Sequence, residues 1–342
     1  MKSGLLSLFC YQLSVVYRSG IPLLDGLKIL SAEIKDPQLK QAAQEIQEEI
    51  KEGKKLSEAL EKQSFFPAYL KGMLRIAEEA GTLDEETYRL SDYYEKQEEM
   101  EKEMKNAVAY PLILSILMGA VVLILVLQVI PLFHQILLGI GGDIPGSTQI
   151  MMNLSQGLRN NLGIFGLLLM GLVLNLLILG RNKGKNLTID RWKYHLPVFG
   201  SVNRQWLAFR LSHALHMLTS AGLAFDDALH LSTSAIGNEY AKQKMETCRH
   251  KISEGMDIAQ AMEEMSLLPK MMIQMIRMGN QTGEMEGFLK RSADLYQQES
   301  SRALKKITVT VEPTLVTILS LIVGLILLTV MLPLIQIIST IG

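Results

Sequence analysis

His213 and His216 stand three residues apart, a spacing that places two imidazoles on one helix face where they could share a metal ion. No carboxylate follows them in the His-Glu-x-x-His manner and no third ligand is evident, so a packing or surface role is expected instead. The acidic group Glu78, Glu79, Asp84, Glu85 and Glu86 could hold a cation, but a solvated helix end is the simpler expectation. Cys10 and Cys248 lack a Cys-x-x-Cys neighbour, which leaves neither a zinc site nor a disulfide framework and suits small buried hydrophobes. Met271, Met272, Met275 and Met278 share one helix and could line an adaptable groove, with core packing as the default. Neither a Gly-x4-Gly-Lys-Ser/Thr phosphate loop nor a Gly-x-Ser-x-Gly nucleophile elbow occurs, and Gly139-Ile140-Gly141-Gly142 lacks the strand–turn–helix setting of a nucleotide loop. The chain is therefore expected to be no enzyme, with no catalytic residue, metal or cofactor.

What the chain does carry is membrane-spanning length. Residues 112–130 contain no charge and only Ser115 and Gln128 as polar side chains. At 1.5 Å per residue this run makes roughly 28 Å of helix, close to the ~30 Å hydrocarbon layer of a bilayer. A second run covers 162–179, with Asn175 as its one strongly polar residue, expected to hydrogen-bond a neighbouring helix. A third covers 315–332. The 342 residues are 48% hydrophobic yet 20% charged, which fits spans joined to water-soluble helical domains better than a fully embedded transporter. Charge is uneven: residues 1–110 hold 15 basic and 20 acidic side chains, a net of −5, while 186–312 hold 15 and 14, a net of +1. No block is basic enough to make nucleic acid a partner.

Outside the spans the apolar residues recur every three or four positions and the strand alternation is absent, so the fold class is all-α. Met1-Lys2 and the apolar residues after it look at first like a signal peptide, but they continue amphipathically through Tyr17-Arg18 without a cleavage site and read as the first helix. Gly20 with Pro22 marks a turn, Asp36-Pro37 opens a helix that Gly53 closes, and Phe65-Phe66-Pro67 starts another that ends at Glu79-Ala80-Gly81-Thr82-Leu83. No breaker follows Leu83 until Pro111, so that helix is expected to run from the soluble domain straight into the membrane.

The sequence then repeats itself at a constant offset of 202. Gly20 pairs with Gly222, Gly53 with Gly255, Pro67 with Pro269, Gly81 with Gly283, Pro111 with Pro313 and Pro131 with Pro333, and Asp25, Leu27, Ala59 and Tyr94 match Asp227, Leu229, Ala261 and Tyr296. Chance would align about 0.1 proline pairs where three are found, so duplication is inferred. The expected organisation is a cytoplasmic helical domain at 1–110, a span at 111–131, a short external loop at 132–161, a span at 162–180, a second cytoplasmic domain at 186–312, and a span with a short tail at 313–338. Lys96, Lys102, Lys105, Arg181, Lys183, Lys185, Arg302, Lys305 and Lys306 flank the spans on the domain side, while the 132–161 loop holds only Arg159. The positive-inside rule then puts both domains and the N-terminus in the cytoplasm and the C-terminus outside a multi-pass cell-membrane protein.

At this point the residues resemble a known family. The doubled helical unit, three spans and Glu79-x-Gly81-Thr82-Leu83 are similar to the inner-membrane platform proteins of type II secretion systems and type IV pili, the GspF and PilC proteins. Met104-Lys105-Asn106-Ala107-Val108-Ala109-Tyr110-Pro111 followed by Val129-Ile130-Pro131 resembles the family's entry to the first span, and Pro145-Gly146-Ser147-Thr148 its external Pro-x-x-Thr. Glu103, Met118 and, in the second copy, Glu312 in place of the aromatic depart from that pattern. The compact N-terminus looks like the shorter competence-pilus members. The resemblance implies a non-enzymatic assembly platform, a homo-oligomer in membrane lipid, with a cytosolic hexameric ATPase, pilins or pseudopilins and other inner-membrane assembly proteins as partners. A small repeat-built transporter is the rival, disfavoured because the spans carry no charge, and a membrane-anchored signalling scaffold is a second.

Overall fold

A computed structural model describes residues 3–139, 157, 187–195 and 199–341. The second expected span at 162–179, Pro145 and Thr148 lie outside these residues. All of the described secondary structure is helical. The first half comprises α1 (Ser3–Arg18), α2 (Leu23–Glu33), α3 (Pro37–Lys51), α4 (Leu56–Glu61), α5 (Ala68–Ala80) and the long α6 (Leu83–Ile124), followed by a π-helical turn (Leu125–Val129) and α7 (Ile130–Gly139). The second half comprises α8 (Leu187–His195), α9 (Phe199–Ser220), α10 (Phe225–Thr233), α11 (Glu239–Ser253), α12 (Ile258–Met265), α13 (Lys270–Thr282) and α14 (Met285–Ile341). Helices α10 to α14 each begin 202 residues after α2 to α6, and α3 and α5 share both bounds with α11 and α13.

Local chemistry sets these boundaries. Pro37 occupies the first turn of α3, and the Asp36 carboxylate accepts from the Gln38 and Leu39 amides at 3.1 Å each, satisfying two of the donors a helix start leaves free. Asn238 caps α11 and Asp257 caps α12 in the same way. Position 55, the repeat mate of Asp257, is Lys55, which cannot accept. There the Glu78 carboxylate reaches across from α5 and takes the Leu56 amide at 2.8 Å, the Ser57 amide at 2.9 Å and the Ser57 hydroxyl at 2.5 Å. A negative group at that end also opposes the positive pole of the helix dipole. Glu78 is thus an anchored cap rather than part of a solvated helix end, and Glu86, also expected in solvent, is buried.

Gly81 ends α5 at φ 73°, where its amide and that of Thr82 return to the Glu78 and Ala77 carbonyls. Gly283 repeats the left-handed cap at φ 75°. A Cβ at either position would incur the crowding that makes this backbone region costly for other residues. Gly20, Gly53, Gly222 and Gly255 also have positive φ, and Pro67 and Pro269 stand immediately before α5 and α13.

The described chain forms two compact units. One contains Met1–Met104 and Gly184–Leu304, the other Lys105–Lys183 and Lys305–Gly342. In the first, Phe9, Leu13, Leu27, Leu39, Tyr69 and Tyr93 are fully buried, in one core with Phe209, Leu215 and Met262 of the second half. Both thiols are in it. Burial raises the Cys248 thiol to about 11 and drives that of Cys10 higher still, so neither is a thiolate at neutral pH.

The second unit contains the apolar parts of the two helices long and apolar enough to cross a membrane, in the segments Leu83–Leu132 and Met285–Leu328. Ile113, Leu117, Leu321 and Leu328 are exposed on them, as lipid-facing side chains would be. Pro111 lies inside α6, which continues through it, and Pro313 and Pro333 lie inside α14. Ser115 and its repeat mate Thr317 each donate a hydroxyl proton at 2.7 Å to the carbonyl of the proline four residues earlier. Pro131 follows the π turn. Without an N–H and with a ring that crowds the preceding turn, proline favours such a local widening of the helix. Val126 and Ile130 pack there on Ile326. The Tyr110 hydroxyl faces the Glu312 carboxylate, so the position where the second copy departs from the family's aromatic meets its own repeat mate.

Candidate functional site at the joint between the two halves

Within the first unit the two halves of the sequence meet along α5 and α6 on one side and α9 and α10 on the other. The Tyr69 hydroxyl reaches the Met217 sulfur at 3.5 Å. Tyr93 lies against His213 with ring centroids 5.1 Å apart, and Phe209 closes the other side of that imidazole at 5.7 Å. Tyr69 and Tyr94 flank Tyr93 at 5.4 and 5.0 Å, so four aromatic groups and one imidazole form a continuous cluster of tilted and edge-on rings through the joint. Gly72 supplies the close approach of α5 to α10. A Cβ there would sit 2.0 Å from the Leu231 Cδ2.

Polar contacts rim this cluster. Arg89 bonds the Ser220 hydroxyl at 3.1 Å while pairing with Glu86 at 3.1 Å and Glu85 at 2.7 Å. Burial raises the Glu86 carboxyl, and the Arg89 charge only partly offsets it. Farther along α6, the Ser301 hydroxyl donates to Glu103 at 2.6 Å. Arg210 lies beside the Tyr93 hydroxyl.

The two histidines have different surroundings. His213 is packed between rings, and its Nδ1 has no hydrogen-bond partner. His216 is half-buried among Arg89, Lys290, Glu286 and Asp294. Among the described residues no group of three or more His, Cys, Asp or Glu is placed to hold a metal. Desolvation, helped by the Lys96 charge and opposed by Asp92, lowers His213 to about 4. The folded state therefore keeps this imidazole neutral, while an unfolded chain protonates it near 6.5. Stability conferred at neutral pH is lost as pH falls through the window from about 6.5 to about 4. Between pH 7 and pH 5 the loss should be about 2 kcal/mol. Melting curves of the detergent-solubilised chain should show this decline and a smaller one for His213→Gln; equal declines would remove His213 as its source.

Sequence reading did not single out Tyr69, Gly72, Met217 or Leu231, and it named His213 for a different reason. A signal was present nonetheless: the repeat mates of Tyr69 and Gly72 are Met271 and Gln274, so these positions differ between two otherwise matched copies. Of the four methionines on α13, Met272 is buried in the core and Met271 and Met278 are exposed.

Comparison with known proteins finds the same repeat. The family model described as type II secretion system (T2SS), protein F fits the chain twice, over residues 9–131 and 211–333, two stretches separated by the same 202 residues. The type IV pilus assembly protein PilC of Thermus thermophilus is 30% identical over 341 residues, covering 98% of this chain and 83% of that protein. PilC of Pseudomonas aeruginosa is 28% identical over 340 residues, with 98% and 91% covered. The type II secretion system protein F of Vibrio cholerae is 29% identical over 294 residues, with 84% and 71% covered.

Proposed function

Since the chain belongs to the type II secretion system protein F family, we propose that it is a non-enzymatic inner-membrane platform that couples a cytosolic hexameric ATPase to the insertion of pilins or pseudopilins into a filament. Its relatives serve type II secretion and type IV pilus assembly by name. The observation that best supports coupling is α6. One helix begins at Leu83, just after the Gly81 cap of α5, carries Arg89 and Tyr93 of the joint, and continues without a break to Ile124 in the apolar run. A long unbroken helix resists bending far better than a loop, so displacement at one end reaches the other. On this reading both helical halves lie in the cytoplasm as two copies of one domain, three spans cross the membrane, and the C-terminus is outside. The six turn glycines and the prolines at 111, 131, 313 and 333 then set the ends and passage of the helices that carry motion.

The test is capture of the ATPase. Full-length chain purified in detergent from its host should retain a hexameric protein with a Walker loop, and deletion of the chain should abolish filament assembly or secretion until it is restored. A deletion strain that assembles and secretes normally would overturn the platform role. Normal loss on deletion without ATPase retention would overturn the direct coupling alone.

A further inference from the structure

The joint between the halves uses different faces of the two copies, and each copy retains, unused, the face that its mate employs. On the first half the joint is built from α5 and α6, and on the second from α9 and α10. Moving each joint residue by 202 gives its mate. Tyr69 is 1% exposed and its mate Met271 is 57% exposed; Met217 is 2% exposed and its mate Val15 is 45% exposed. Gly72 is buried whereas Gln274 is exposed, and Leu231 packs over Gly72 whereas Ile29 is exposed. His213 and Arg210 correspond to Tyr11 and Leu8, which are both exposed.

Two apolar faces result. On α1 and α2, Leu8, Tyr11, Val15 and Ile29 follow helical spacing on an open surface. On α13, Met271 and Met278 flank Gln274. Exposed large side chains clustered in this way on a folded surface mark an interaction site. Here the internal joint identifies the occupant, because each open face is the repeat mate of a face already buried against the other kind.

We propose that the α13 face of one molecule docks on the α1–α2 face of a second copy of this chain, using between molecules the equivalent pair of faces to the one that joins the halves within one. Such a contact is heterologous. Each molecule retains one free face of each kind, so association proceeds head to tail into a ring or an open helical array rather than stopping at a dimer. Val15 of one copy then meets Met271 of the next as Met217 meets Tyr69, while Ile29 faces Gln274 at a greater separation than Leu231 has from Gly72, because Gln274 carries a side chain where Gly72 has none. One pairing is unfavourable. Arg89 bonds Ser220 in the joint, but their mates are Arg291 and Arg18, so the contact between molecules opposes two guanidinium groups and is weaker than the internal one. This association does not depend on whether the chain drives an assembly ATPase.

Cysteine cross-linking of the full-length chain in its own membrane tests the geometry, since both native thiols are buried. Chains carrying Ile29→Cys and chains carrying Gln274→Cys, produced together and oxidised, should yield a mixed disulfide, and the double variant should give a ladder beyond the dimer. Pairing Ile29→Cys with Thr247→Cys, on the exposed part of α11, should give none. Val15→Glu should suppress the mixed cross-link without lowering the melting temperature, and Arg291→Ser should increase it. The proposal is overturned if only like-with-like disulfides form, if the double variant stops at a dimer, if no cross-link forms, or if Ile29→Cys cross-links to a different protein instead.

Discussion

Inserting a flexible Gly-Ser segment between Lys105 and Tyr110 should abolish filament assembly while leaving the chain in the membrane. These residues lie within α6, whose helix is unbroken from Leu83 to Ile124. Each glycine in a helix interior costs about 1 kcal/mol relative to alanine, and several together turn a stiff segment into a joint. The apolar run over 112–130 is untouched, so the length that crosses the bilayer is unchanged. Membrane fractionation should place the variant with the parent, and filament counts by electron microscopy should fall to the level of a deletion strain. Normal filament numbers would show that α6 anchors the chain without transmitting motion.

Tyr93→Ala should be the most damaging single side-chain truncation in the joint. Tyr93 is 1% exposed and touches Tyr69, Tyr94 and His213. Removing a buried aromatic ring costs about 3–5 kcal/mol, because the cavity it leaves collapses only in part. Its repeat mate Leu295 is only half-buried, at the edge of the core. Leu295→Ala should therefore cost clearly less in the same host, although it removes a comparable apolar group. The comparison can be made by thermal or urea unfolding of the detergent-solubilised chain, with limited proteolysis reporting whether α5 and α9 become accessible together. Equal losses at Tyr93 and Leu295 would mean that the joint adds nothing to the stability of each half.

What the 202-residue repeat means for the fold was only partly visible in the sequence. The offset of 202 was legible because glycine and proline act locally. A position that needs φ near 70°, such as Gly81, or one that opens a helix, such as Pro67, is constrained by its own backbone wherever it sits. The all-helical class and the two helices long and apolar enough to cross a membrane were legible for a similar reason, since periodicity and run length are properties of a segment by itself. Charge was less informative. Glu78 and Glu86 look alike in an acidic stretch, yet one caps α4 from a distance and the other is buried beside Arg89.

By itself, then, the sequence determined the helical class, the glycine turns, the 202-residue repeat and the two long apolar helices, because each follows from interactions within a few residues of the chain or from segment length. Only the tertiary structure decided which faces of two similar copies are buried together. That choice depends on shape across the joint: Gly72 yielding space to Leu231 and Tyr93 packing against His213, partners more than 100 residues apart. Gln274 in place of Gly72 puts a side chain where that close approach needs none, and so two copies that share their turn glycines are packed in different ways within one molecule.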